Sequence, residues 1–574
     1  GGKNDPADNT GLAHYLEHIM FKGTEKVGTQ DYEAEKPMLD QIQALYDVYR
    51  TKNDPVEREA IYHQIDSISY EASKIAIPNE YDKMMAVIGS EGSNAFTSDD
   101  VTCYQENIPS NQIENWAKVQ SDRFKNMVIR GFHTELEAVY EEYNRGLTSD
   151  SEKALDAIDA VLFKNHPYGT QTVIGTQDHL KNPSITAIKK QKATYYVPNN
   201  CAICFSGDFD PDTVVGIIEK YFGDWQPNPD IPEFKITPEE PLTKPAVKDV
   251  YGQEAEYVMI AWRYPGNSGT EGEISEIASS VLYNGMAGLV DLDINQQQKT
   301  LGAAGFAYGR SDYGMMVLEG YPNPGQSLEE VRDLLLGEVD KLRKGEFSDT
   351  LVKATFNNYK LRQMQELQSN RSRAMKYVNS FVNRVSWKSE VGKIDRLSKV
   401  TREDVASWAG EWLGENNYAL VYKHIGEDKS IKKIDAPKIT PIVTNREKQS
   451  DFLTSVQESK PEDIEPVFVD FTKDMSRLSA EGLEFLYKHN DNNDIATMDF
   501  RFDTGLIQDP ALSFAMNYVS FLGTPGMSAE QIASLMYTYA CRFSLDPHLG
   551  VEHREGVVRR RGQSKLRSEE RRVG

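Results

Sequence analysis

Two histidines and a glutamate fall within five positions of the stretch GLAHYLEHIMFKGT, residues 11–24. Read as a helix, this segment puts His14 and His18 one turn apart on one face, with Glu17 beside them. Imidazoles at i and i+4 can aim their nitrogens at a common point, the way zinc-binding helices present paired ligands. A hydrolytic zinc site needs three protein ligands and one open position. It also needs a carboxylate that accepts a proton from water as the oxygen attacks a carbonyl, and Glu17 is placed for that work. The plainer alternative is a surface helix with two solvated histidines and an incidental glutamate.

The helix must be held from behind. Leu12, Leu16 and Ile19 recur at i, i+4 and i+7 on the opposite face, so the segment is apolar at the back and polar in front. The third ligand must come from elsewhere in the chain. In TELEAVYEEYN, Glu135 and Glu142 are seven apart, two turns along one helical face, with Ala138 and Val139 between them. Glu137 and Glu141 read as the solvated carboxylates of that helix. On residue pattern alone, an amphipathic surface helix with no ligand stays open for this stretch.

The chain has 574 residues, too many for one core, and implies several domains. Apolar content of 39% and charged content of 26% are those of globular proteins, and no apolar run is long enough to span a bilayer. The formal charge of −24 argues against a nucleic-acid partner, which wants a basic stripe. There is no phosphate-binding G-x-x-x-x-G-K-[ST] loop. Four cysteines do not make a disulfide framework at this length. Cys201 and Cys204 form a C-x-x-C, but NNCAICFSGDF reads as a short strand. Its side chains three apart point to opposite faces, so buried free thiols are expected there.

Residues 36–75 read as a helical hairpin, two apolar-periodic runs broken by TKNDP. A proline-rich joint spans 226–245, and a second strand-rich unit follows. Another polar, proline-bearing stretch, 436–466, has no clear period and is expected to be a hinge-like linker. Beyond it the chain repeats its own start. Phe21, Gly23 and Thr24 match Phe521, Gly523 and Thr524 at a fixed offset, which places His14, Glu17 and His18 on Phe514, Asn517 and Tyr518. One copy has the polar trio and the other lacks it.

GLAHYLEHIMFKGT, GSNAFTSDDVTCY, ELEAVYEEYN, HPYGTQTVIGTQDHL and YYVPNNCAICFSGDFD, in that order, resemble the pitrilysin/insulin-degrading-enzyme family of zinc metallopeptidases, whose helix motif is the inverted H-x-x-E-H. The likeness covers 1–240 closely and runs more loosely to about 540. It implies an α+β fold of repeated α/β domains, with antiparallel-rich sheets flanked by helices, arranged as a two-half clam shell whose second half is incomplete here. The domains expected are a catalytic unit at 1–235 carrying the 36–75 insertion, a related non-catalytic unit at 246–435, the linker, and the start of an inactive second half at 467–550. The resemblance makes His14, His18 and Glu142 the ligands of one Zn2+ per chain and Glu17 the catalytic base. Glu135 becomes the carboxylate that orients a ligand, and Asn94 and Ala95 mark the edge strand that pairs with substrate backbone.

The function implied is a metalloendopeptidase acting on peptides or unfolded segments. The alternatives are a non-catalytic peptide-binding or scaffold homologue and a zinc-stabilised structural domain, the last of which would want a fourth ligand. Peptides are the expected partners, with a second half or a dimer partner alongside. An exported, periplasmic location is the expectation, the start GGKNDPADNT reading as an internal fragment. The inserted hairpin is expected to project outward and leave the site intact, the alternative being that it gates the chamber between the halves. The family's late Arg/Tyr substrate pair lies beyond this chain, and the basic tail at 551–574 reads as non-native, RSEERRVG resembling a translated sequencing adapter.

Overall fold

The computed structural model describes residues 1–546 apart from 430, 432, 435–437, 481 and 502–503. The tail at 551–574 therefore lies outside the described residues, as do the last positions of 467–550. The fold is α+β. Its first part runs α1 (Leu12–Ile19), α2 (Tyr32–Tyr49), α3 (Pro55–Ser73), α4 (Glu80–Val87), the strands β1 (Glu91–Thr97) and β2 (Thr102–Asn107), α5 (Ile113–Asn126), α6 (Phe132–Gly146) and α7 (Asp150–Leu162). The two strands pair antiparallel, Ala95 opposite Tyr104, with an irregularity between Glu91 and Asn94.

Helix α1 starts where the pattern of residues requires it. Gly11 takes a positive φ of 87°, and a Cβ there would meet the Ile174 carbonyl oxygen at 2.6 Å, so only glycine fits. The Asp5 carboxylate accepts from the Ala13 N–H at 3.1 Å and satisfies an otherwise open donor of the first turn. The apolar back of α1 is fully used: Leu12, Leu16 and Ile19 share one core with Ile129, Phe132, Leu136 and Val139.

The second part is a five-stranded sheet in the order β3-β7-β4-β6-β5, built from β3 (Ala246–Gly252), β4 (Tyr257–Pro265), β5 (Gly302–Gly309), β6 (Tyr313–Tyr321) and β7 (Ala419–Ile425). Only β3 and β7 pair parallel. Period-two alternation along β4 sorts its side chains between two cores. Val258, Ile260, Trp262 and Tyr264 join a cluster with the helices Ile274–Leu282, Leu328–Lys344 and Arg402–Trp412. Tyr257, Met259 and Ala261 pack on Ala154, Ile158, Val161 and Leu162 of α7.

The second face of this sheet is thus covered by a helix of the first part. A buried ion pair fixes the join: Lys423 of β7 lies 2.8 Å from Asp150 at the start of α7. Burial alone would push the Asp150 carboxyl up, but Lys423, the Glu254 N–H and Lys153 outweigh it and hold it down at about 2. Arg310 adds a two-pronged pair to Asp159, both contacts at 2.9 Å.

Three expectations need correction. The hairpin α2–α3 does not simply project. Ile42, Tyr46 and Ile65 are buried in the α1–α6 core, and the Tyr46 and Phe132 rings lie 4.9 Å apart. The described part of 436–466, residues 438–466, is not a free hinge but a strap laid across the first part. Thr440 donates to Asp66 through its N–H (2.9 Å) and its hydroxyl (2.6 Å), and Asn445 donates to the Ala76 carbonyl at 2.7 Å. The helix Asp451–Gln457 then buries Leu453 and Val456 against Tyr81, Met84, Met85 and Ile88. Finally, Cys201–Ser206 is no strand. The backbone at Cys201 is extended, but among the described residues the segment pairs with no other strand, and both thiols are half-buried rather than buried. Propensity for β alone makes no strand without a ladder partner.

The internal repeat has a structural counterpart. The helix Leu512–Val519 has the bounds of α1 shifted by 500, and the Thr24 N–H to Val27 carbonyl turn recurs as Thr524 to Met527. Phe514 and Tyr518, the counterparts of His14 and His18, are exposed.

Candidate metal centre

The side chains of α1 and α6 that face one another carry the site. Two contacts set their approach. The Tyr15 hydroxyl of α1 donates to the Phe132 carbonyl at the start of α6. Arg130, paired with buried Glu35 at 2.7 and 2.8 Å, donates to the carbonyls of Lys22, Thr24 and Val27 and so pins the chain just after α1.

His14, His18 and Glu142 then converge, one donor atom from each lying within 4.8 Å of the others. Nε2 of His14 and Nε2 of His18 each stand 3.6 Å from the same oxygen, Glu142 Oε2. That is too long for a hydrogen bond and right for donors around a shared ion. A cation about 2.0–2.2 Å from each tetrahedral ligand sets the ligands about 3.3–3.6 Å apart. The donor set, two imidazoles and one carboxylate, is that of a catalytic zinc site with an open fourth position. The residues present therefore fit the metal.

Ring chemistry agrees. His18 Nδ1 lies 2.8 Å from Glu135 Oε1. A carboxylate can only accept, so Nδ1 carries the proton and Nε2 keeps its lone pair toward Glu142. Burial, with His18 nearby, pushes His14 down to about 4, which leaves that ring neutral at physiological pH. At His18 burial also presses downward, but the Glu135 hydrogen bond and the charges of Glu142, Glu135 and Glu17 outweigh it, so the net shift is upward. The same carboxylates that favour a proton at His18 favour a metal cation.

Glu17 is close enough to interact electrostatically with His18 and Glu142 but is not among the converging donors. The Thr97 hydroxyl donates to Glu17 Oε2 at 2.6 Å, leaving Oε1 free of that bond. Burial raises the Glu17 pKa above the ordinary glutamate range, only partly offset by the Thr97 hydrogen bond. Asn94 and Ala95 lie on β1, the strand that supplies Thr97. The Asn94 side chain accepts from the Ala95 N–H at 2.9 Å, a local turn-like contact. Val139 on α6 is fully buried as its spacing implies, whereas Ala138 is exposed.

Two functional neighbours escaped the sequence reading. Thr97 shares a strand face with Ala95, two residues away, a signal available in the period of two. Lys22 sits one turn after His18, and its ammonium pairs with Glu135 Oε2. Glu135 is thereby held between Lys22 and His18, and its pKa is lowered: burial pushes it up, but the His18 hydrogen bond and the Lys22 charge outweigh that. Lys22→Met is expected to weaken zinc affinity about 10- to 100-fold through loss of this support, with Lys22→Arg retaining most of it. Competition with a chromogenic chelator measures both, and an unchanged affinity in Lys22→Met would contradict the role.

The chain is similar to several known proteins. Residues 1–41 match the family model described as insulinase (peptidase family M16), and residues 184–359 match that described as the peptidase M16 inactive domain. The zinc protease PqqE of Helicobacter pylori is 22% identical over 343 residues, covering 58% of this chain and 74% of that protein. An uncharacterized zinc protease of Mycobacterium leprae is 25% identical over 226 residues, 39% of each chain. Among solved structures, a Helicobacter pylori protease superposes with a TM-score of 0.60 at 19% identity, covering 74% of this chain and 92% of that one. The periplasmic protease PqqL of Escherichia coli superposes with a TM-score of 0.53 at 12% identity, covering 93% of this chain and 58% of that one. Among the described residues no helix is long and apolar enough to cross a membrane.

Proposed function

The chain belongs to the insulinase (M16) family of peptidases, and from that premise we propose that it is a zinc metalloendopeptidase that hydrolyses extended peptides. Nε2 of His14, Nε2 of His18 and a carboxylate oxygen of Glu142 hold the ion. Bound zinc supplies a Lewis acid that polarises the scissile carbonyl and acidifies a water beside it. Glu17 accepts the water proton at Oε1 while Thr97 keeps Oε2 in place, then delivers that proton to the amide nitrogen as the C–N bond breaks. The products are a carboxylate and an amine, with water fully accounted for.

Substrate orientation falls to β1. Among the described residues its ladder partner is β2 alone, so its other edge offers backbone donors and acceptors to an extended chain. Asn94 and Ala95 lie on that strand two or three residues from Thr97, and pairing there brings a peptide alongside Glu17. An exported, periplasmic setting suits such an enzyme, as does a second half that closes over the substrate.

The single observation that carries this reading is the approach of both imidazoles to one oxygen of Glu142 while Glu17 stands apart, anchored by Thr97. The test is hydrolysis of an internally quenched peptide before and after dialysis against 1,10-phenanthroline. Activity should vanish on chelation and return when one equivalent of zinc is restored. Hydrolysis indifferent to the chelator would contradict the proposal.

A further inference from the structure

A cavity of about 870 Å³ opens beside the first turn of α6, whereas Glu142 sits in the third turn. It is within the size range of small-molecule sites. Its walls come from α2, α3, the start of α6, the helix Ile185–Tyr195 and the strap, which contributes Ile442, Thr444 and Arg446. The strap wall is fixed in place by the Thr440–Asp66 and Asn445–Ala76 hydrogen bonds. Leu39, Ile42, Ile77, Phe132 and Ile185 make much of the surface apolar.

The charge around it runs against that of the protein. Eight lysine and arginine side chains line the cavity against four carboxylates, in a chain of net charge −24. Several of these cations are spoken for: Arg130 by Glu35, Lys36 by Asp40, Lys125 by Asp224 and Lys22 by Glu135. Three are not. Lys83 donates to the carbonyls of Arg446 and Lys448, Lys189 to the Gln43 side-chain oxygen at 2.6 Å, and Lys192 to the Lys125 carbonyl at 2.8 Å. Among the described residues these three ammoniums have neutral acceptors and no carboxylate partner.

Ile185, Lys189 and Lys192 follow one another at i, i+4 and i+7, so a single helical face runs from an apolar wall to two cations. Burial lowers the pKa of Lys192, and no neighbouring carboxylate offsets it. A cationic group held partly out of water without a counter-charge favours an incoming anion. A small hydrated anion would leave the apolar walls unused, and a neutral hydrocarbon would leave the lysines unpaired.

We propose that this cavity is a binding site for an amphipathic anion, an aliphatic chain ending in a carboxylate. The head lies at Lys189 and Lys192 and the chain along Ile42, Phe132 and Ile185. His14, Glu17, His18, Glu135 and Glu142 do not line the cavity, though Lys22, the partner of Glu135, does, and its occupancy is read without an activity assay.

The test is calorimetric titration of the whole chain, zinc-loaded, with dodecanoate below its micellar concentration. Dodecanol and dodecyltrimethylammonium serve as probes of head charge, and inorganic phosphate as a competitor. One dodecanoate per chain is expected, at least tenfold tighter than dodecanol. The double variant Lys189→Gln, Lys192→Gln should weaken dodecanoate at least tenfold with an unchanged circular dichroism spectrum. Ala76→Phe, which adds bulk to the wall, should weaken all aliphatic probes. The proposal is overturned by no binding of dodecanoate, by equal binding of the trimethylammonium probe, or by displacement with phosphate alone. It is equally overturned if the lysine variant binds as the parent does.

Discussion

Replacing Glu17 by Gln should leave zinc bound and lower the turnover of a quenched peptide by about 10²- to 10⁴-fold, the usual contribution of a positioned general acid–base group. The amide keeps the shape of the side chain and can still accept from the Thr97 hydroxyl, but it cannot take a proton from water. Because Glu17 is not among the three converging donors, metal content should stay at one ion per chain. KM should change little, since the lost interaction is made in the transition state. Stopped-time assays paired with metal analysis of the same sample separate the two quantities. Undiminished turnover would refute the base assignment, and loss of zinc would instead make Glu17 a ligand.

The opposite signature is expected one helix away. Glu142→Ala removes the carboxylate oxygen that both imidazoles approach, leaving two neutral rings to hold a dication. Zinc stoichiometry should fall from one per chain toward zero at neutral pH, and activity should fall with it by at least as much as in Glu17→Gln. His18→Ala should behave alike, because it also frees Glu135 from its imidazole partner. Excess zinc should rescue these variants partially at most, whereas it should do nothing for Glu17→Gln. A Glu142→Ala protein with full zinc content would move the third ligand elsewhere.

Much of the centre was legible in the sequence because it is local. His14, Glu17 and His18 sit on one turn, and the spacing of seven that relates Glu135 to Glu142 is itself helical. The structure separates those two by distance: Glu135 contacts His18 Nδ1 and Lys22, while Glu142 faces both Nε2 atoms. Pattern alone left this choice open, since both carboxylates share a face. The helices of the inserted hairpin were equally visible from their period, but their destination was not. Tyr46 against Phe132 is a contact between residues 86 positions apart, and no local period encodes it.

The strap shows the other limit. It is held by isolated polar contacts, the Thr440 hydroxyl and N–H, the Asn445 side chain and the Ser450 backbone N–H, each meeting a partner more than 350 residues earlier in the chain. Without periodicity it reads as a linker, though Leu453 and Val456 at i and i+3 are its buried anchor. Cys201–Ser206 shows the reverse case. A β-prone run carries no information about whether a neighbouring strand exists. Lys22 is not legible from pattern, because a lysine one turn past a motif has the signature of an ordinary solvated charge, and its partner Glu135 lies more than a hundred residues away.

The claim at the centre is that one zinc ion joins α1 to α6. A difference map from anomalous scattering, recorded on either side of the zinc absorption edge with crystals of the whole chain, tests it most directly. The account predicts a single strong peak about 2.0–2.2 Å from Nε2 of His14, Nε2 of His18 and a Glu142 oxygen. A map without density there, or with its peak on other residues, would contradict it.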